Sequence, residues 1–483
     1  MTRMSLVVLF FSLLIAQHVT ADDQNQSATE HPDVLFIAVD DMNDWIEPLG
    51  GHPNARTPNL NRLAKMGVTF TQAHCAAPAC NPSRAAIMTG VRPSTSGVYH
   101  NDQPWRPALP DAITLPQLFW KHGYKVVGGG KIFHNAYNDN DSWQEWKKAG
   151  DFPEPKQVPN SGIANAAHFD WGPVDATDQQ MGDHATVDWA IQHLQAERQE
   201  PLFLACGLIR PHLPFYAPQK YFDQFPLDKI VLPKILDTDL DDVPEAGKRM
   251  AKPEGDHRKV IEAGQHRAAV QAYLASIAYA DYEIGRLLDA LEKSPRGKNT
   301  IVVLWGDHGW HLGEKLHWRK FSLWEEATRS PLFIYVPGMT TPGARCARPV
   351  SLMDITPTLA ELCHLKKLDT WEATSLVPLL KDGSAEWNTP ALCTHGKNNH
   401  SLRSEQYRYI VYADGSEELY DHTSDPQEWK NLAADPKLAS VKQSLRKYLP
   451  LVNAPDAPKG KAPPSNKPAG KKGKKAANID MTK

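Results

Sequence analysis

Acidic side chains follow two apolar segments at equivalent places in this chain. Residues 33–39 (DVLFIAV) end at Asp40-Asp41, and residues 299–305 (NTIVVLW) end one glycine before Asp307-His308. Such continuous apolar runs are typical of buried strands in a parallel sheet, where ligands bind beyond the carboxyl ends of the strands. Either acidic group alone could instead cap the helix that follows. Two groups at matching places favour a divalent cation, which relieves the repulsion between neighbouring carboxylates, and oxygen ligands suit Ca²⁺ or Mg²⁺.

A second segment with reactive character begins at Cys80. Pro82 fixes a turn after this cysteine, the following residues have the pattern of a helix start, and Arg84 adds positive charge. A helix N-terminus beside an arginine favours an anion, and therefore a thiolate. The residues by themselves fit either a reactive thiol or a buried cysteine that only packs.

Four more side chains are candidates for acids, bases or cationic ligands: Lys131, His134, His212 and Lys320. Each also has an ordinary explanation. Single lysines are usually solvated, and Lys320 lies in a charged stretch; most histidines only pack or change charge. These four residues therefore gain meaning only from a joint pattern.

Composition limits the class of protein. The chain has 483 residues, 41% of them hydrophobic, and a formal net charge of −3. This is enough for one large core with a smaller appended domain, too hydrophobic for a disordered chain, and unlike a nucleic-acid-binding protein. The six cysteines are few for an exported chain of this length, so the fold depends on its core; Cys75 and Cys80 could pair, and one bridge could form among the later cysteines.

The order of predicted elements indicates an α/β protein. Further strands are predicted at residues 125–129, 201–207 and 331–336, and helices at residues 57–67, 187–195 and 266–293. Alternating strands and helices predict a large mixed, mostly parallel sheet sandwiched by helices. Near the C-terminus, an alternating strand at residues 407–413, the turn Asp414-Gly415 and a return at 418–420 predict a smaller antiparallel α+β subdomain.

The two ends of the chain differ from the middle. Arg3, the apolar run at residues 6–16 and the small residues before Asp22 predict a signal peptide at residues 1–21, and hence a secreted or periplasmic protein; an uncleaved anchor is the alternative. No later segment is apolar enough to cross a membrane. Residues 453–483, rich in Pro, Gly, Ala and Lys, predict a disordered tail, either a solvated terminus or a contact for acidic polysaccharide. If this whole tail is disordered, residues 455–483 are expected to be dispensable for catalysis.

The segment Cys80-x-Pro82-Ser83-Arg84, with Thr89-Gly90 after it, resembles the maturation signature of formylglycine-dependent type I sulfatases. Val91 stands where that family usually has arginine. Other segments resemble sulfatase motifs in the same order: Val39-Asp40-Asp41, Gly130-Lys131-Ile132-Phe133-His134, Arg210-Pro211-His212-Leu213-Pro214-Phe215, Asp307-His308-Gly309, Lys320, Leu419-Tyr420-Asp421, Asp425-Pro426, Glu428 and Asn431-Leu432. Asp-His at the second acidic pair, where many sulfatases have Asp-Asn, is similar to the iduronate-2-sulfatase branch.

This resemblance implies an alkaline-phosphatase-like fold, with a catalytic domain at residues 31–345 and a C-terminal subdomain at 346–452. It implies a divalent metal, Ca²⁺ rather than Mg²⁺, held by Asp40, Asp41, oxidised Cys80, Asp307 and His308. A formylglycine-generating or equivalent maturation enzyme would convert Cys80 to formylglycine, the nucleophile. The implied catalytic roles are these: Arg84 holds the formylglycine, Lys131 and Lys320 bind sulfate oxygens, His212 with Lys320 protonates the leaving alcohol, and His134 takes a proton from the second hydroxyl.

The implied substrate is a sulfated carbohydrate, with sulfate removed from a uronic-acid-type sugar at a chain end. Loops at residues 139–178 and 232–265, which contain Trp143, Trp146 and Trp171, are expected to build the pocket. Two alternatives stay open. One is a phosphate mono- or diester hydrolase, which would typically use Ser or Thr as nucleophile; the other is a non-catalytic sulfated-glycan binder, which would be expected to lack nucleophile or metal residues.

Overall fold

The computed structural model describes residues 31–164 and 168–460. The signal peptide predicted at residues 1–21 lies outside these ranges, as do residues 461–483 of the predicted tail. Within the described ranges, no helix has both the length and the apolar character that a membrane span requires.

The strands and helices follow one another as the alternation predicts. The strands are β1 Asp33–Val39, β2 Val68–Phe70, β3 Ala73–His74, β4 Lys125–Gly130, β5 Glu145–Lys147, β6 Trp171–Val174, β7 Leu202–Leu208, β8 Phe215–Pro218, β9 Thr300–Gly306, β10 His311–Leu312, β11 Trp318–Arg319, β12 Leu332–Tyr335, β13 Ala344–Cys346, β14 Val350–Ser351, β15 Ala391–Thr394, β16 His400–Arg403, β17 Tyr407–Val411 and β18 Glu417–Asp421. The α-helices are α1 Pro58–Met66, α2 Cys80–Thr89, α3 Pro93–Ser96, α4 Trp105–Ala108, α5 Leu115–Lys121, α6 Gly182–Gln195, α7 Gln219–Phe222, α8 Glu245–Ala251, α9 Asp256–Glu262, α10 His266–Lys293, α11 Glu325–Thr328, α12 Ile355–Leu362, α13 Val377–Lys381 and α14 Ala439–Arg446.

A large mixed sheet forms the centre of the molecule, in the order β13-β2-β12-β9-β1-β7-β4-β5. Strands β9, β1, β7, β4 and β5 are parallel, while β12 is antiparallel to both its neighbours. The register sets Val39 opposite both Leu208 and Gly306, and Gly130 opposite Gly207. The residues that follow these four strands therefore meet at one edge of the sheet. The predicted mostly parallel α/β sheet is confirmed.

The sheet is buried on both faces, which explains the continuous apolar strands. Along β1, Val34, Phe36 and Ala38 belong to one hydrophobic cluster, whereas Leu35, Ile37 and Val39 belong to the other. The long helix α10 packs with α1, α6 and α7 on the second face, and α2, α5 and α12 cover the first. Because side chains alternate along a strand, both sets must be apolar when helices cover both faces.

A separate antiparallel sheet, β15-β16-β17-β18, follows near the C-terminus and confirms the predicted antiparallel subdomain. The boundary expected between residues 345 and 346, however, falls inside β13, which pairs with β2 in the large sheet. Helix α12, still further along the chain, packs against α2. The segment from residue 346 to the end of α12, which the prediction assigned to the subdomain, thus completes the central layer before β15 begins.

The prediction of disorder from Asn453 is wrong for the first part of the tail. Backbone N–H groups of Ala454, Ala457 and Gly460 donate to carbonyl oxygens between Ser94 and Asp102, at 2.8 to 3.0 Å. Composition indicated disorder because Pro, Gly and Lys cannot build a core of their own. It could not show that this stretch finds its partners in a distant loop.

Strands β4 and β7 approach each other so closely at their ends that position 130 requires glycine. Gly130 has a φ of +77°, and an added Cβ would overlap the carbonyl oxygen of Gly207 on the neighbouring strand. Gly123 has a similar φ of +84° with nothing within 4 Å of its Cβ position. We expect Gly123→Ala to lower the free energy of unfolding by about 1 to 2 kcal/mol, the cost of a left-handed alanine. Gly130→Ala should cost about 1 to 3 kcal/mol more, as overpacked cores do. Urea unfolding measures both, and equal losses would contradict a steric requirement at Gly130.

Candidate active site

The acidic residues predicted at the strand ends lie together, fully buried. Asp40 follows β1 and Asp307 follows β9, and the two strands continue their pairing here, with the Asp307 N–H donating to Val39 O at 3.3 Å. The Asp41 N–H donates to Asp307 Oδ1 at 3.0 Å. The parallel register of β1 and β9 therefore brings both acidic pairs to one point.

Asp41 has a left-handed backbone, with a φ of +58°, which is strained for a residue other than glycine. The hydroxyl group of Tyr273, on α10, donates to Asp41 O at 2.7 Å and accepts from the Asn43 N–H at 3.0 Å. Tyr273 thus holds the turn that allows two successive carboxylates to face one site. Sequence analysis missed this residue, because nothing in the amphipathic pattern of α10 distinguishes it from a core tyrosine.

Cys80 is the first residue of α2 and is 1% exposed. Its Sγ lies 3.5 Å from His308 Nε2 and 3.8 Å from Asp41 Oδ1. Burial raises the pKa of the thiol above its usual value. Cys80 does not pair with Cys75, whose Sγ is 3.7 Å from that of Cys393, and the described cysteines form no disulfide.

Arg84, one turn further along α2, joins three strand ends. Its Nε lies 2.8 Å from Asp307 Oδ2 and its Nη2 3.0 Å from Asp40 Oδ1, while Nη1 donates to the carbonyl oxygens of Lys131 and Ile132. Burial alone would lower its pKa, but Asp307 and Asp40 raise it. These contacts orient the carboxylates, and the expected role of Arg84 in holding the modified side chain of residue 80 stays a prediction.

Two lysines lie beside the thiol. Lys320 Nζ is 2.9 Å from Cys80 Sγ and 2.6 Å from Asp41 Oδ1. Lys131 Nζ is 3.8 Å from the same sulfur and forms an ion pair with Asp40. Burial opposes their charged forms, but Asp41 raises the pKa of Lys320 and Asp40 raises that of Lys131. Both lysines are therefore cations directed at Cys80 Sγ.

Three histidines surround the cluster as neutral bases. The Nδ1 atoms of His308 and His212 contact the carbonyl oxygens of Gly309 and Leu213, at 2.9 and 2.6 Å, which leaves each Nε2 free to face the site. Burial lowers the pKa of His308 to about 4 and that of His212 well below its usual value. His134 is 4% exposed, and burial and Lys131 lower its pKa to about 3. Its Nδ1 has no hydrogen-bond partner among the described residues.

The donor set fits a divalent cation. Ligand atoms of Asp41, Cys80, Asp307 and His308 lie within 4.8 Å of one another, as do those of Asp40, Asp41, Cys80 and His212. Asp41 Oδ2 is buried without a hydrogen-bond partner among the described residues, and burial raises the Asp41 pKa to about 7. A buried carboxylate oxygen with no partner is costly unless a cation binds it.

Comparison with known proteins identifies the family. A sulfatase family model matches residues 32–365, and a model of the C-terminal part of N-sulphoglucosamine sulphohydrolase matches residues 306–454. The chain belongs to the sulfatase family. It is accordingly a sulfuric ester hydrolase, and membership in this family implies a metal ion and a formylglycine.

Two curated relatives and one solved structure show how far the similarity of this sulfatase extends. A sulfatase from Formosa agariphila is 43% identical, covering 89% of each chain. Mouse iduronate 2-sulfatase is 29% identical, covering 91% of this chain and 98% of its own. The phosphonate monoester hydrolase of Agrobacterium radiobacter has the same fold, with a TM-score of 0.72 and 21% identity over 86% of this chain and 94% of its own.

Some expected pocket residues of the sulfatase lie in the core instead. Trp143 is 1% exposed and packs over Gly128, and Trp171 is 2% exposed and stacks on Trp318. Composition alone could not separate a tryptophan that contacts a sugar from one that packs. The candidate catalytic and metal residues predicted from the motifs, in contrast, all lie at or around one cluster.

Tyr273→Phe tests whether the left-handed turn at Asp41 matters for metal binding. The change leaves the buried Asn43 N–H and Asp41 C=O without their shared partner. Residues that orient metal ligands typically contribute about 10- to 100-fold in affinity, so we expect at least about tenfold weaker Ca²⁺ binding by equilibrium dialysis. Tyr282→Phe, on the exposed side of the same helix, should bind Ca²⁺ like the unchanged protein. Equal affinities of the two variants would remove Tyr273 from the metal site.

Proposed function

We propose that this sulfatase removes sulfate from a uronic-acid-containing carbohydrate, at a chain end, by a formylglycine made from Cys80 beside a divalent metal. The observation that carries the proposal is the position of Cys80 Sγ, between Lys320 Nζ and His308 Nε2 at 2.9 and 3.5 Å. Cationic, metal-ligating and nucleophilic groups thus surround one atom.

Charge supports an anionic substrate. Three carboxylates, Asp40, Asp41 and Asp307, face three cations, Arg84, Lys131 and Lys320, in a region almost closed to water. These charges balance, so a bound divalent cation would leave two positive charges uncompensated. A sulfate ester carries one negative charge and would be attracted strongly at low dielectric. Neutral esters would lack this attraction.

The divalent metal and the formylglycine each have a defined role in the proposed reaction. A cation held by Asp40, Asp41, Asp307 and His308 would act as a Lewis acid and lower the pKa of a hydroxyl on residue 80. Ligands supplied wholly by the protein suit Ca²⁺ better than Mg²⁺, which usually keeps several waters. Conversion of the Cys80 thiol to formylglycine supplies that hydroxyl, because the hydrated aldehyde carries two.

The remaining catalytic roles are assigned to side chains of this protein. Lys131 and Lys320 bind sulfate oxygens and offset the charge that develops on them. His212 Nε2, which faces the site without a proton because Nδ1 donates to Leu213 O, receives one from the Lys320 ammonium group and passes it to the oxygen of the departing alcohol. His134, neutral and with an unpaired Nδ1, accepts the proton whose removal releases sulfate. Sulfuryl transfer resembles phosphoryl transfer, in which positioning and charge stabilisation dominate.

The substrate proposal rests on two kinds of support. A relative that matches along nearly its whole length is named iduronate 2-sulfatase, and this chain has the Asp307-His308 pair expected of that branch. Cys80 and His212 are 1% and 8% exposed, so a terminal sugar reaches them more easily than the interior of a polymer. We propose a secreted or periplasmic enzyme, since the predicted signal peptide and an extracellular glycan substrate agree.

The decisive experiment measures sulfate release from a 2-O-sulfated uronate disaccharide by enzyme co-produced with a formylglycine-generating enzyme. The mass of the peptide that contains residue 80 reports its conversion. We expect the enzyme to release sulfate from the disaccharide, at the same rate whether or not the product alcohol is trapped. We expect it to hydrolyse a matched phosphate ester only slightly. Fully converted enzyme that cleaves the phosphate ester faster would favour the alternative of a phosphate ester hydrolase. Release only from other sulfated sugars would overturn the uronate assignment.

Cys80→Ala tests the nucleophile. We expect turnover to fall below detection, while the unfolding midpoint changes little, because one small buried side chain replaces another. Cys206→Ala is the matched control, since Cys206 is also a fully buried cysteine but lies inside β7, away from the cluster. Normal turnover by the Cys80→Ala variant would remove Cys80 from catalysis.

A further inference from the structure

A stretch near the C-terminus crosses back over the catalytic half of the molecule. We call residues 454–460 the C-terminal strap and residues 94–103 the strap-bearing loop. Three backbone N–H groups of the strap donate to loop carbonyls: Ala454 to Ser94 at 2.8 Å, Ala457 to Gly97 at 2.8 Å, and Gly460 to Asp102 at 3.0 Å. In return, the hydroxyl groups of Tyr99 and Tyr137 donate to the carbonyls of Ala454 and Gly460, at 2.9 and 2.8 Å.

Gln103 joins the strap to the interior of the loop. Its side chain is fully buried; Nε2 donates to Ala457 O at 2.9 Å, while Oε1 accepts from the N–H groups of Tyr99 and His100 at 2.6 and 2.8 Å. One amide group therefore satisfies two loop donors at one end and a strap acceptor at the other. Buried amides that lose a partner become costly, which couples the two segments.

The loop in turn holds the residue next to the nucleophile. Asn81 Nδ2 donates to the carbonyls of His100 and Gln103, at 3.0 and 2.7 Å, and the Asn81 N–H donates to Asn101 Oδ1 at 3.0 Å. The first N–H groups of a helix have no partner within the helix. Asn101 supplies one from outside, and so fixes where α2, and Cys80 at its start, begins.

Close approach of the two segments depends on Gly97. Its φ is +74°, and a Cβ added there would overlap Pro455 O. The strap is thus fitted to the loop at the level of its backbone, and it makes this fit through a stretch that composition assigns to disorder.

We propose that the C-terminal strap is a positioning element for the nucleophile of this sulfatase: through Gln103, Asn101 and Asn81, it fixes the start of α2 relative to the metal-binding cluster. No residue of the strap need touch the substrate. The effect on turnover rests on the proposed function, whereas the effect on the loop does not. A misplacement of about 1 Å at a reacting atom can cost about 100-fold in rate, so loss of a distant support can show as loss of turnover.

Two truncations of the full chain test this proposal. One ends after Asn453 and lacks the strap; the other ends after Gly460 and lacks only residues 461–483. Turnover of 4-nitrophenyl sulfate and of the 2-O-sulfated disaccharide is compared at equal formylglycine conversion. Hydrogen exchange is followed for the backbone N–H groups of Asn81, Tyr99 and His100, and for β1 as an internal reference.

We expect the chain that ends after Asn453 to lose at least about tenfold in kcat with little change in KM, and to exchange faster at Asn81, Tyr99 and His100 but not in β1. The chain that ends after Gly460 should match the full chain. Unchanged kcat in the shorter chain would overturn the proposal, as would equal acceleration of exchange in β1, which would indicate general destabilisation.

Gln103→Glu in the full chain covers the case in which the shorter truncation does not fold. The new side chain keeps an acceptor for Tyr99 and His100 but turns a carboxylate oxygen towards Ala457 O and the neighbouring Asp456. Faster exchange at Asn81 and a lower kcat are expected, and unchanged values of both would contradict the coupling. A full chain that is inactive on every sulfate ester would count against the proposed function, while the exchange measurements would still decide on the strap.

Discussion

Compensation of buried charge is the constraint on which this molecule depends. Asp40, Asp41 and Asp307 are fully buried at one sheet edge, where isolated carboxylates would be prohibitively costly. Arg84 binds two of them from α2, and Lys131 and Lys320 approach from two other parts of the chain. The residues proposed for catalysis and those that stabilise the buried charges are therefore largely the same residues. A substitution here alters activity and stability together, and measurements of both are needed to separate them.

The parallel sheet is what makes this concentration of charge possible. Because β1, β4, β7 and β9 run in the same direction and in register, four loops begin within a small area, each anchored by an apolar strand. Helices on both faces exclude water from the strands but leave their carboxyl ends to the loops. Gly130 and Gly207 allow β4 and β7 to approach closely just before Lys131, so the lysine enters the cluster from the backbone of the sheet itself.

Local patterns in the sequence predicted the strands and the residue types of the site, because both depend on short segments of contiguous residues. The prediction placed β1 and α10 at their observed bounds and Asp40 and Asp307 at one edge, and the resemblance to sulfatases added Cys80. What it missed depends on contacts between distant segments. The Tyr273 hydroxyl, the guanidinium of Arg84 between strand ends, and the strap beneath Ser94 to Asp102 leave no periodic signal. The expected boundary at residue 345 failed for the same reason, since β13 pairs with a strand far earlier in the chain.

The order in which the site is completed has a consequence for its modification. Asp307, His308 and Lys320 enter the cluster from the later half of the chain, and the strap that contacts the strap-bearing loop lies later still in the sequence. In the folded protein Cys80 is 1% exposed, at the start of a wholly buried helix. Any enzyme that converts Cys80 needs access to this side chain, which the folded chain does not offer. Conversion of Cys80, as proposed, therefore has to precede folding of the later half, and a chain that folds first would retain a thiol that no enzyme can reach.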